Sequence, residues 1–209
     1  MANFCEKCGA NIDEVAQGMG LDSRIGEKFL QPGPGYGGSC FPKDTLALAQ
    51  MGEQCGVRMN LVETAIIYND LRKVEMAQRI VKAVKDVKNP RVAILGLTFK
   101  GGTDDVRESP AMEIVYELLR NKMGLKVFDP KGMENARIIL KDAVYYAESI
   151  EDAAAGTDAI AILTEWEEFK KLNLKQLKNI MKTAKIIDLR NILNREEVKL
   201  AGFEYERIG

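Results

Sequence analysis

The chain of 209 residues contains no histidine and only four cysteines. Without histidine, neither a Ser-His-Asp triad nor a Cys-His pair can form within the chain, and no metal can be held by imidazole. Cys5 and Cys8 form a C-x-x-C pair on a predicted helix. A zinc ribbon needs a second such pair, and redox pairs normally follow a strand. We therefore interpret both cysteines as inert residues of a helix face and predict no metal site; a metal or redox role for this pair is the less favoured alternative.

The sequence also lacks an excess of charge of one sign and long apolar runs. It has 30 Lys and Arg against 31 Asp and Glu, for a net charge of −1. Neither nucleic acid nor an acidic membrane is therefore expected as a partner. No apolar run approaches the roughly 20 residues needed to cross a bilayer, and the N-terminus has no signal-peptide pattern. The sequence predicts a globular cytoplasmic protein, whose 46% apolar content can form a core.

The most informative segment is the glycine-rich stretch QPGPGYGGSCFPKD at 31–44. Its closely spaced glycines allow positive φ angles and a close approach of the backbone to a ligand. Cys40 follows directly, and Pro42 suits the first turn of a helix. The positive end of that helix and the charge of Lys43 would both favour a thiolate. Asp44, one turn further on, could handle a proton or position a water. The alternative is a glycine-rich turn followed by a buried structural cysteine.

The string GYGGSCFPKD at 35–44 resembles the active-site signature of the UDP-glucose 6-dehydrogenase family. A second string, VAILGLTFKGGTDDVRESPA at 92–111, is similar to the start of the C-terminal domain of that family, and DSRIG at 22–26 fits the family as well. The two main motifs are separated by about the spacing that the family shows, and the similarity runs through nearly the whole chain. The chain is therefore identified as a member of this family of UDP-glucose and GDP-mannose dehydrogenases.

The family begins with an NAD-binding Rossmann domain, whose fingerprint is G-x-G-x-x-G between a strand and a helix. No such spacing follows a strand in this sequence. Residues 1–30 predict helix and turn instead, and they resemble the middle of the family's central helical region. We therefore expect the chain to correspond to the C-terminal half of a dehydrogenase without its NAD-binding domain, either as a truncated form or as the product of a split gene.

Apolar periodicity predicts three helices before the boundary at Lys88-Asn-Pro90. These predicted helices cover residues 2–18, 44–55 and 60–87. The third would be capped by Asn60 and would span roughly 40 Å. So long a helix in a small protein suggests an interface or a spine between domains, and the alternative is a core helix with one face in solvent.

After the boundary, apolar strands alternate with amphipathic helices, which is typical of a parallel sheet covered on both faces. The predicted strands are 91–95, 126–128, 159–163, 185–188 and 203–207, and the predicted helices are 109–122, 150–155, 174–181 and 196–200. The predicted fold is α/β, with two domains. Residues 1–88 form a partial central helical and dimerisation region that carries the cysteine loop, and residues 89–209 form a Rossmann-like, UDP-sugar-binding domain.

The loop at 97–108 follows the first predicted strand, and ligands on parallel sheets bind beyond the carboxyl ends of the strands. Ser109 is a good cap for the next helix, so free backbone N–H groups would face this loop. With Lys100 and Arg107 close by, we expect an anionic ligand here. The acidic pair at 104–105 would oppose it unless these residues turn outward or pair with Arg107.

Two other charged residues at strand ends carry less weight. Asp129 ends the second strand before a proline, and we interpret it as a turn residue rather than as a ribose ligand. Arg190 follows a later strand, but the family more often has glycine at the position of Leu189. We therefore assign no role to Arg190 from the sequence.

The resemblance implies a two-step oxidation of the C6 alcohol of UDP-glucose to a carboxylate, with two NAD⁺ as hydride acceptors. A thiolate captures the aldehyde, a second hydride leaves the thiohemiacetal, and water hydrolyses the thioester. Cys40 would be the nucleophile, Asp44 would assist the water, and Lys43 and Arg107 would contact NAD. The implied UDP-sugar contacts are Arg24, which would reach the substrate of a neighbouring subunit, Phe29, Leu30, Gln31, Pro32, Gly33, Gly37 and Lys100.

Three functions remain open from the sequence. The chain is a half-enzyme of UDP-glucose dehydrogenase that is inactive alone, or it serves the same chemistry on GDP-mannose or a UDP-N-acetyl-hexosamine. The third possibility is a non-catalytic, sugar-nucleotide-binding dimerisation module. FPKD at 41–44 favours glucose, because the amino-sugar relatives depart from it around the cysteine. The resemblance also implies a homodimer in which the long helix meets its own copy across a two-fold axis.

Overall fold

A parallel sheet forms the second part of the molecule and determines where the loops of the site lie. The computed structural model describes residues 1–209. The strands are β1 (Arg91–Leu95), β2 (Gly124–Phe128), β3 (Tyr145–Tyr146), β4 (Ala159–Ile162), β5 (Lys185–Asp188) and β6 (Glu204–Arg207). They are ordered β3-β2-β1-β4-β5-β6, and every neighbouring pair is parallel. This is the strand order of a doubly wound dinucleotide-binding fold, which confirms the predicted Rossmann-like α/β domain.

Helices cover both faces of this sheet. The nine α-helices of the chain are α1 (Ala2–Cys8), α2 (Ile12–Gly20), α3 (Phe41–Gln54), α4 (Asn60–Ala83), α5 (Pro110–Arg120), α6 (Met133–Leu140), α7 (Ile150–Ala154), α8 (Leu174–Ile180) and α9 (Arg195–Leu200). One face packs on α4, α5 and α6 through a cluster of 25 buried residues, and the other packs on α7, α8 and α9 through a cluster of 15. Alternate residues of β1 enter opposite clusters, as the two-residue repeat of a strand requires.

The prediction of one helix over residues 2–18 is wrong, because the structure has two helices there. Gly9 ends α1 in the left-handed conformation with φ 74°, a position that favours glycine. Asn11 then starts α2 by accepting a hydrogen bond from the backbone N–H of Asp13. Cys5 and Cys8 both lie on α1, as expected; Cys5 is buried and Cys8 is exposed.

The bounds of the next two helices also differ from the prediction. α3 begins at Phe41 rather than at residue 44, and α4 ends at Ala83 rather than at 87. Asn60 is not a cap: it is the first helical residue after Met59, whose backbone N–H donates to the carboxylate of Glu63 at 3.2 Å. The glutamate thus reaches back to the N–H of the residue before the helix, whereas a capping side chain would accept from the N–H of the second or third helical residue.

The two halves of the long helix α4, which has 24 residues, differ in burial. Met76, Ala77 and Ile80 in its second half are buried in the core beside α5. Its first half leaves Leu61 and Ile67 largely exposed. α4 therefore joins the helical region (residues 1–88) to the sheet domain (residues 89–209), names that we use below for the two predicted parts.

One α-helix, one strand and two short 3₁₀ helices, the latter at Lys141–Ala143 and Phe169–Lys171, are absent from the sequence-based prediction of the sheet domain. Helix α6 follows β2, and β3 is a two-residue strand at the edge of the sheet. The other elements of this domain lie within three residues of their predicted bounds. None of the nine helices combines the length and apolar character needed to cross a membrane.

Candidate functional site

Cys40 lies at the N-terminus of α3, directly before its first residue, and is exposed. Pro42 occupies the first turn, and the backbone N–H of Asp44 donates to the carbonyl of Cys40 at 2.9 Å. The hydroxyl oxygen of Ser39 lies 3.8 Å from the Cys40 sulfur. The structure therefore places the thiol at a helix start, as the sequence predicts, and its exposure is contrary to a buried structural cysteine.

Two cations lie close enough to Cys40 for their charges to interact with it. A hydrogen bond to Asp44 raises the pKa of Lys43, and Cys40 adds a smaller electrostatic contribution. A hydrogen bond to Asp105 likewise raises the pKa of Arg107, again with a smaller contribution from Cys40. Lys43 and Arg107 come from different regions of the chain, and their side chains remain mostly exposed, at 67% and 70%.

The glycine-rich segment from Gly33 to Cys40, which we call the cysteine loop, packs against the sheet domain. A Cβ atom on Gly37 would stand 2.2 Å from the carbonyl oxygen of Glu108 and 2.7 Å from the ring of Pro110. A Cβ atom on Gly33 would stand 2.6 Å from the guanidinium of Arg190. At Gly37 the atoms met are a backbone oxygen and a proline ring, so glycine is required there, whereas a side chain at Gly33 would displace only the end of the Arg190 side chain.

The loop at 97–108 is fixed from below by Asp129, which is fully buried. Its carboxylate accepts hydrogen bonds from the backbone N–H groups of Leu97 at 2.7 Å and Thr98 at 3.0 Å, and from the indole N–H of Trp166 at 3.1 Å. It also accepts the N–H of Gly132 at 2.7 Å in the turn that follows β2. Asp129 is thus a turn residue, as predicted, and it is in addition the anchor of this loop.

Both residues of the acidic pair on the same loop make hydrogen bonds to neighbouring side chains. Asp105 accepts a hydrogen bond from the Arg107 guanidinium at 2.8 Å, and this contact holds the pKa of the Asp105 carboxyl below its usual range. The backbone carbonyl of Asp104 accepts a hydrogen bond from the Asn135 side chain at 2.9 Å. Of the two alternatives that would keep these acids from opposing an anion, pairing with Arg107 is observed for Asp105. Lys100 stays exposed, with its ammonium 5.3 Å from the centre of the Phe99 ring.

The remaining predicted site residues precede the cysteine loop. Phe29 has φ 66° and is 90% exposed, with its ring 6.3 Å from that of Phe41. Pro32 is buried, whereas Leu30 is half-buried and Gln31 is exposed. These residues therefore lead toward the start of α3.

Arg24 is not brought into the cluster around Cys40. Its guanidinium pairs with Asp22, two residues earlier, at 2.5 Å, and 87% of its side chain is exposed. This position leaves Arg24 without a contact to Cys40 or Lys100 within the chain.

Sequence reasoning missed a connected set of polar residues behind the cysteine loop. One carboxylate oxygen of Glu165 pairs with Arg190, and the other accepts the backbone N–H of Gly101 at 3.2 Å. On the other side, Asn69 of α4 bonds to the backbone of Tyr36. Glu165 and Arg190 follow β4 and β5, so the rule that sites form at the carboxyl ends of parallel strands could have indicated both.

Comparisons with known proteins identify the family to which both parts of the chain belong. Two sequence profiles match: the central domain of the UDP-glucose/GDP-mannose dehydrogenase family over residues 1–71, and the UDP binding domain of the same family over residues 93–195. Both parts of the chain thus match adjoining domains of one class of proteins, the sugar-nucleotide dehydrogenases. The chain belongs to the UDP-glucose/GDP-mannose dehydrogenase family.

The similarity to individual relatives covers the whole chain but only part of each relative. The chain is 48% identical to the UDP-glucose 6-dehydrogenase of Rhizobium meliloti and 49% identical to that of Rickettsia prowazekii, over 100% of this chain and 48% and 49% of those proteins. It spans about half the length of the curated relatives it matches.

Solved structures show the same relation. A UDP-glucose dehydrogenase from the hyperthermophilic archaeon Pyrobaculum islandicum superposes with a TM-score of 0.81 at 32% identity, over 96% of this chain and 44% of that one. A UDP-D-ManNAc dehydrogenase from Pyrococcus horikoshii gives 0.80 at 31% identity, over 99% and 46%. The fold is therefore shared by relatives that act on different sugars.

Proposed function

We propose that the chain supplies the thiol and the UDP-sugar-binding half of a UDP-glucose 6-dehydrogenase. The nicotinamide-binding half comes from outside these 209 residues, and the chain alone is inactive. The observation that carries the proposal is the position of Cys40, which is exposed at a helix start, inside a loop packed against the sheet domain. The positive end of α3 and the charges of Lys43 and Arg107 lie near this thiol.

Cys40 acts as the nucleophile at C6 of the sugar. Its thiolate adds to the carbon of the intermediate aldehyde, and the resulting thiohemiacetal is oxidised to a thioester. Water then attacks the thioester carbon and the C–S bond breaks. The product is the sugar carboxylate, and the Cys40 thiolate is regenerated. Asp44, one turn along α3, accepts a proton from this water.

NAD⁺, when bound, supplies the acceptor for the two hydrides that leave the substrate. The residues of this chain that would hold it are Lys43 and Arg107. Both fit an anionic dinucleotide, because they are exposed cations from two regions that lie within electrostatic reach of Cys40.

The UDP-sugar lies between the two regions in this proposal. Lys100 faces solvent from a loop fixed at its base, which suits a diphosphate. Arg24 points away from this cluster, consistent with a contact to the substrate of a second subunit. The backbone and side chains that lead into the cysteine loop complete the binding surface: Phe29, Leu30, Gln31, Pro32, Gly33 and Gly37. A homodimer through α4 would bring two such sites together. We also predict that the protein is cytoplasmic.

A different sugar nucleotide is the second candidate. The structural similarity to the UDP-D-ManNAc dehydrogenase of Pyrococcus horikoshii supports a UDP-N-acetyl-hexosamine as an alternative substrate. GDP-mannose, which appears in the name of the family, is a further alternative. FPKD at 41–44 and the curated relatives named UDP-glucose 6-dehydrogenase favour glucose. A non-catalytic, sugar-nucleotide-binding dimerisation module is the remaining alternative.

The test measures NADH formation from UDP-glucose and NAD⁺. The purified chain alone should give no turnover. Co-expressed with the N-terminal half of the Rhizobium meliloti relative, it should reach turnover on the order of 1 s⁻¹. Cys40→Ser should then abolish product formation, while Cys55→Ser, which alters another exposed thiol at the far end of α3, should not.

Three results would contradict the proposal. Undiminished UDP-glucuronate formation by Cys40→Ser would exclude the thiol as nucleophile. Turnover with GDP-mannose or a UDP-N-acetyl-hexosamine in preference to UDP-glucose would assign the second candidate. Binding of UDP-sugars without turnover in the restored complex would assign the non-catalytic module.

A further inference from the structure

Asn69 on α4 makes an unusual pair of hydrogen bonds to the cysteine loop. Its side-chain oxygen accepts the backbone N–H of Tyr36 at 2.8 Å, and its side-chain nitrogen donates to the backbone carbonyl of the same residue at 3.1 Å. One amide thus satisfies both backbone groups of Tyr36, as a neighbouring strand would. Asn69 is only 7% exposed, so both bonds are made by a largely buried amide.

Only asparagine suits this position. An aspartate would keep the acceptor but lose the donor, and an alanine would leave both backbone groups of Tyr36 without partners. The neighbouring Gly35 has φ 137°, and a Cβ there would stand 2.7 Å from the Asn69 oxygen. The glycine and the asparagine are therefore matched: a side chain at Gly35 would force the amide out of place.

Arg72, one turn further along α4, makes a second bond to the loop. Its Nε donates to the carbonyl of Gly33 at 3.2 Å, and the residue is only 6% exposed. Burial lowers the pKa of Arg72, and its Nη2 has no hydrogen-bond partner. A buried arginine with an unpaired nitrogen is costly for stability, and its contact with the loop is a reason for its presence.

The opposite side of the same loop rests on the sheet domain, where Gly37 meets Glu108 and Pro110. The loop is therefore held between two surfaces, and Cys40 follows Tyr36 by four residues. The α4 side supplies specific hydrogen bonds, whereas the close approach at Gly37 is steric. Release of the α4 side would leave nothing directional to set where the chain enters α3.

We propose that Asn69 is a positioning residue that fixes the cysteine loop on α4 and thereby holds Cys40 at the N-terminus of α3. Arg72 acts as the second tether of the same loop. The consequence for catalysis rests on the proposed function, whereas the consequence for the loop and for the thiol does not.

The experiment uses the full chain and two readouts that need neither UDP-glucose nor NAD⁺. Hydrogen exchange of the Tyr36 amide, followed by NMR, reports the Asn69 bond. Alkylation of Cys40 by iodoacetamide at neutral pH, followed by mass spectrometry of its peptide, reports the placement of the thiol. The variants are Asn69→Ala and Asn69→Asp, with Ile80→Val as the control. Ile80 is fully buried on the same helix in contact with the sheet-domain core, so its variant lowers stability modestly without touching the loop.

In Asn69→Ala, we expect exchange of the Tyr36 amide to rise at least about tenfold, since its only acceptor is lost. Alkylation of Cys40 should fall about two- to fivefold, as the thiol leaves the positive end of α3. Asn69→Asp retains an acceptor and should keep the Tyr36 amide protected. If Asn69→Ala does not fold, Asn69→Ser, which is too short for both bonds, replaces it with the same expected directions.

Two outcomes would overturn the proposal. One is wild-type exchange and alkylation in Asn69→Ala or its serine substitute. The other is an equal change in Ile80→Val, which would mean that both readouts follow global stability. Because neither readout involves turnover, a failure here is separable from a failure of the activity test with Cys40→Ser.

Discussion

The helical region and the sheet domain differ in how they bury their apolar residues. Most of the large apolar side chains that remain exposed belong to residues 1–74. The sheet domain exposes only Ile138, Ile139, Tyr145 and Leu200. Both core clusters centre on the sheet, and α3 buries a single residue, Gly52. The sheet domain is thus stabilised from within, whereas the helical region presents an exposed apolar surface.

The two regions also differ in how they hold the residues of the candidate site. Lys100 sits on a loop anchored by the buried carboxylate of Asp129. Cys40 sits on a loop held by Asn69 and by close contact at Gly37. The loop proposed to bind the anion is thus held by a buried carboxylate, whereas the loop that carries Cys40 belongs to the region with more exposed apolar residues. We therefore expect changes in the helical region to affect the chemistry more than the binding of the nucleotide.

The largest expected effect comes from paired substitutions in the two regions. Ile94→Ala removes a fully buried side chain of the central strand β1 and should lower the free energy of unfolding by about 2–5 kcal/mol. Leu61→Ala removes a side chain that is 88% exposed on α4 and should change it by less than about 0.5 kcal/mol. Urea unfolding measures both. A cost for Leu61→Ala equal to that of Ile94→Ala would show that the helical region has a core of its own.

Binding of UDP by the sheet domain should show the next largest effect. We expect the chain to bind UDP with an affinity near the millimolar range, and Lys100→Ala to cost about 1.5–3 kcal/mol of that binding, because a charged hydrogen bond to phosphate is lost. Isothermal calorimetry or NMR titration provides the measurement. Lys175→Ala, an exposed lysine on α8, is the matched control. An unchanged affinity in Lys100→Ala would place the site elsewhere.

The sequence predicted the sheet domain well because its buried strands are short apolar runs. β5 lies at its predicted bounds and β1 does as well. The two-residue strand β3 is too short to give a periodic signal, and α6 was left unassigned between β2 and the next predicted helix. In the helical region, the spacing of apolar residues continues from α1 into α2 across Gly9. The sequence pattern therefore gives no sign that Gly9 adopts the left-handed conformation and ends the first helix.

The candidate site was predictable where it depends on local sequence. The position of Cys40 at a helix start and the pairing of Asp105 with Arg107 follow from residues a few positions apart. The bonds of Asn69 to Tyr36 join residues 33 positions apart. Such contacts depend on how α4 packs on the loop, which no motif in a single sequence encodes.

We expect self-association to involve the helical region. Ile67, Leu71 and Val74 form an exposed stripe at i, i+4 and i+7 on α4. We expect light scattering at micromolar concentration to give a dimer of about twice the 23.3 kDa chain mass. Leu71→Ala should weaken this dimer about tenfold, or ~1.4 kcal/mol, as apolar contact is lost. Ile138→Ala, an exposed apolar change in the sheet domain, should leave it intact. A monomer at about 100 µM would be contrary to this prediction.

The smallest expected effect is a pH dependence where the two regions meet. Burial raises the pKa of Glu206 on β6, against the attraction of Arg79, whose guanidinium lies 3.8 Å from its carboxylate. Because the folded pKa exceeds the unfolded value near 4.3, the stabilising contribution of Glu206 is complete below that value. It is lost as the pH rises through the folded pKa.

Glu206→Gln removes the charge that burial disfavours. It should therefore raise the free energy of unfolding by a few tenths of a kcal/mol near pH 7, and give no gain near pH 4, where the wild-type carboxyl is protonated. The effect is small because 45% of this side chain remains in contact with solvent. Urea unfolding at both pH values tests it, with Glu204→Gln, two residues earlier on the same strand, as the control. A loss of stability in Glu206→Gln near pH 7 would mean that the attraction of Arg79 outweighs burial. The contact between Arg79 of the helical region and Glu206 of the sheet domain would then stabilise the fold by more than the burial of the Glu206 charge costs.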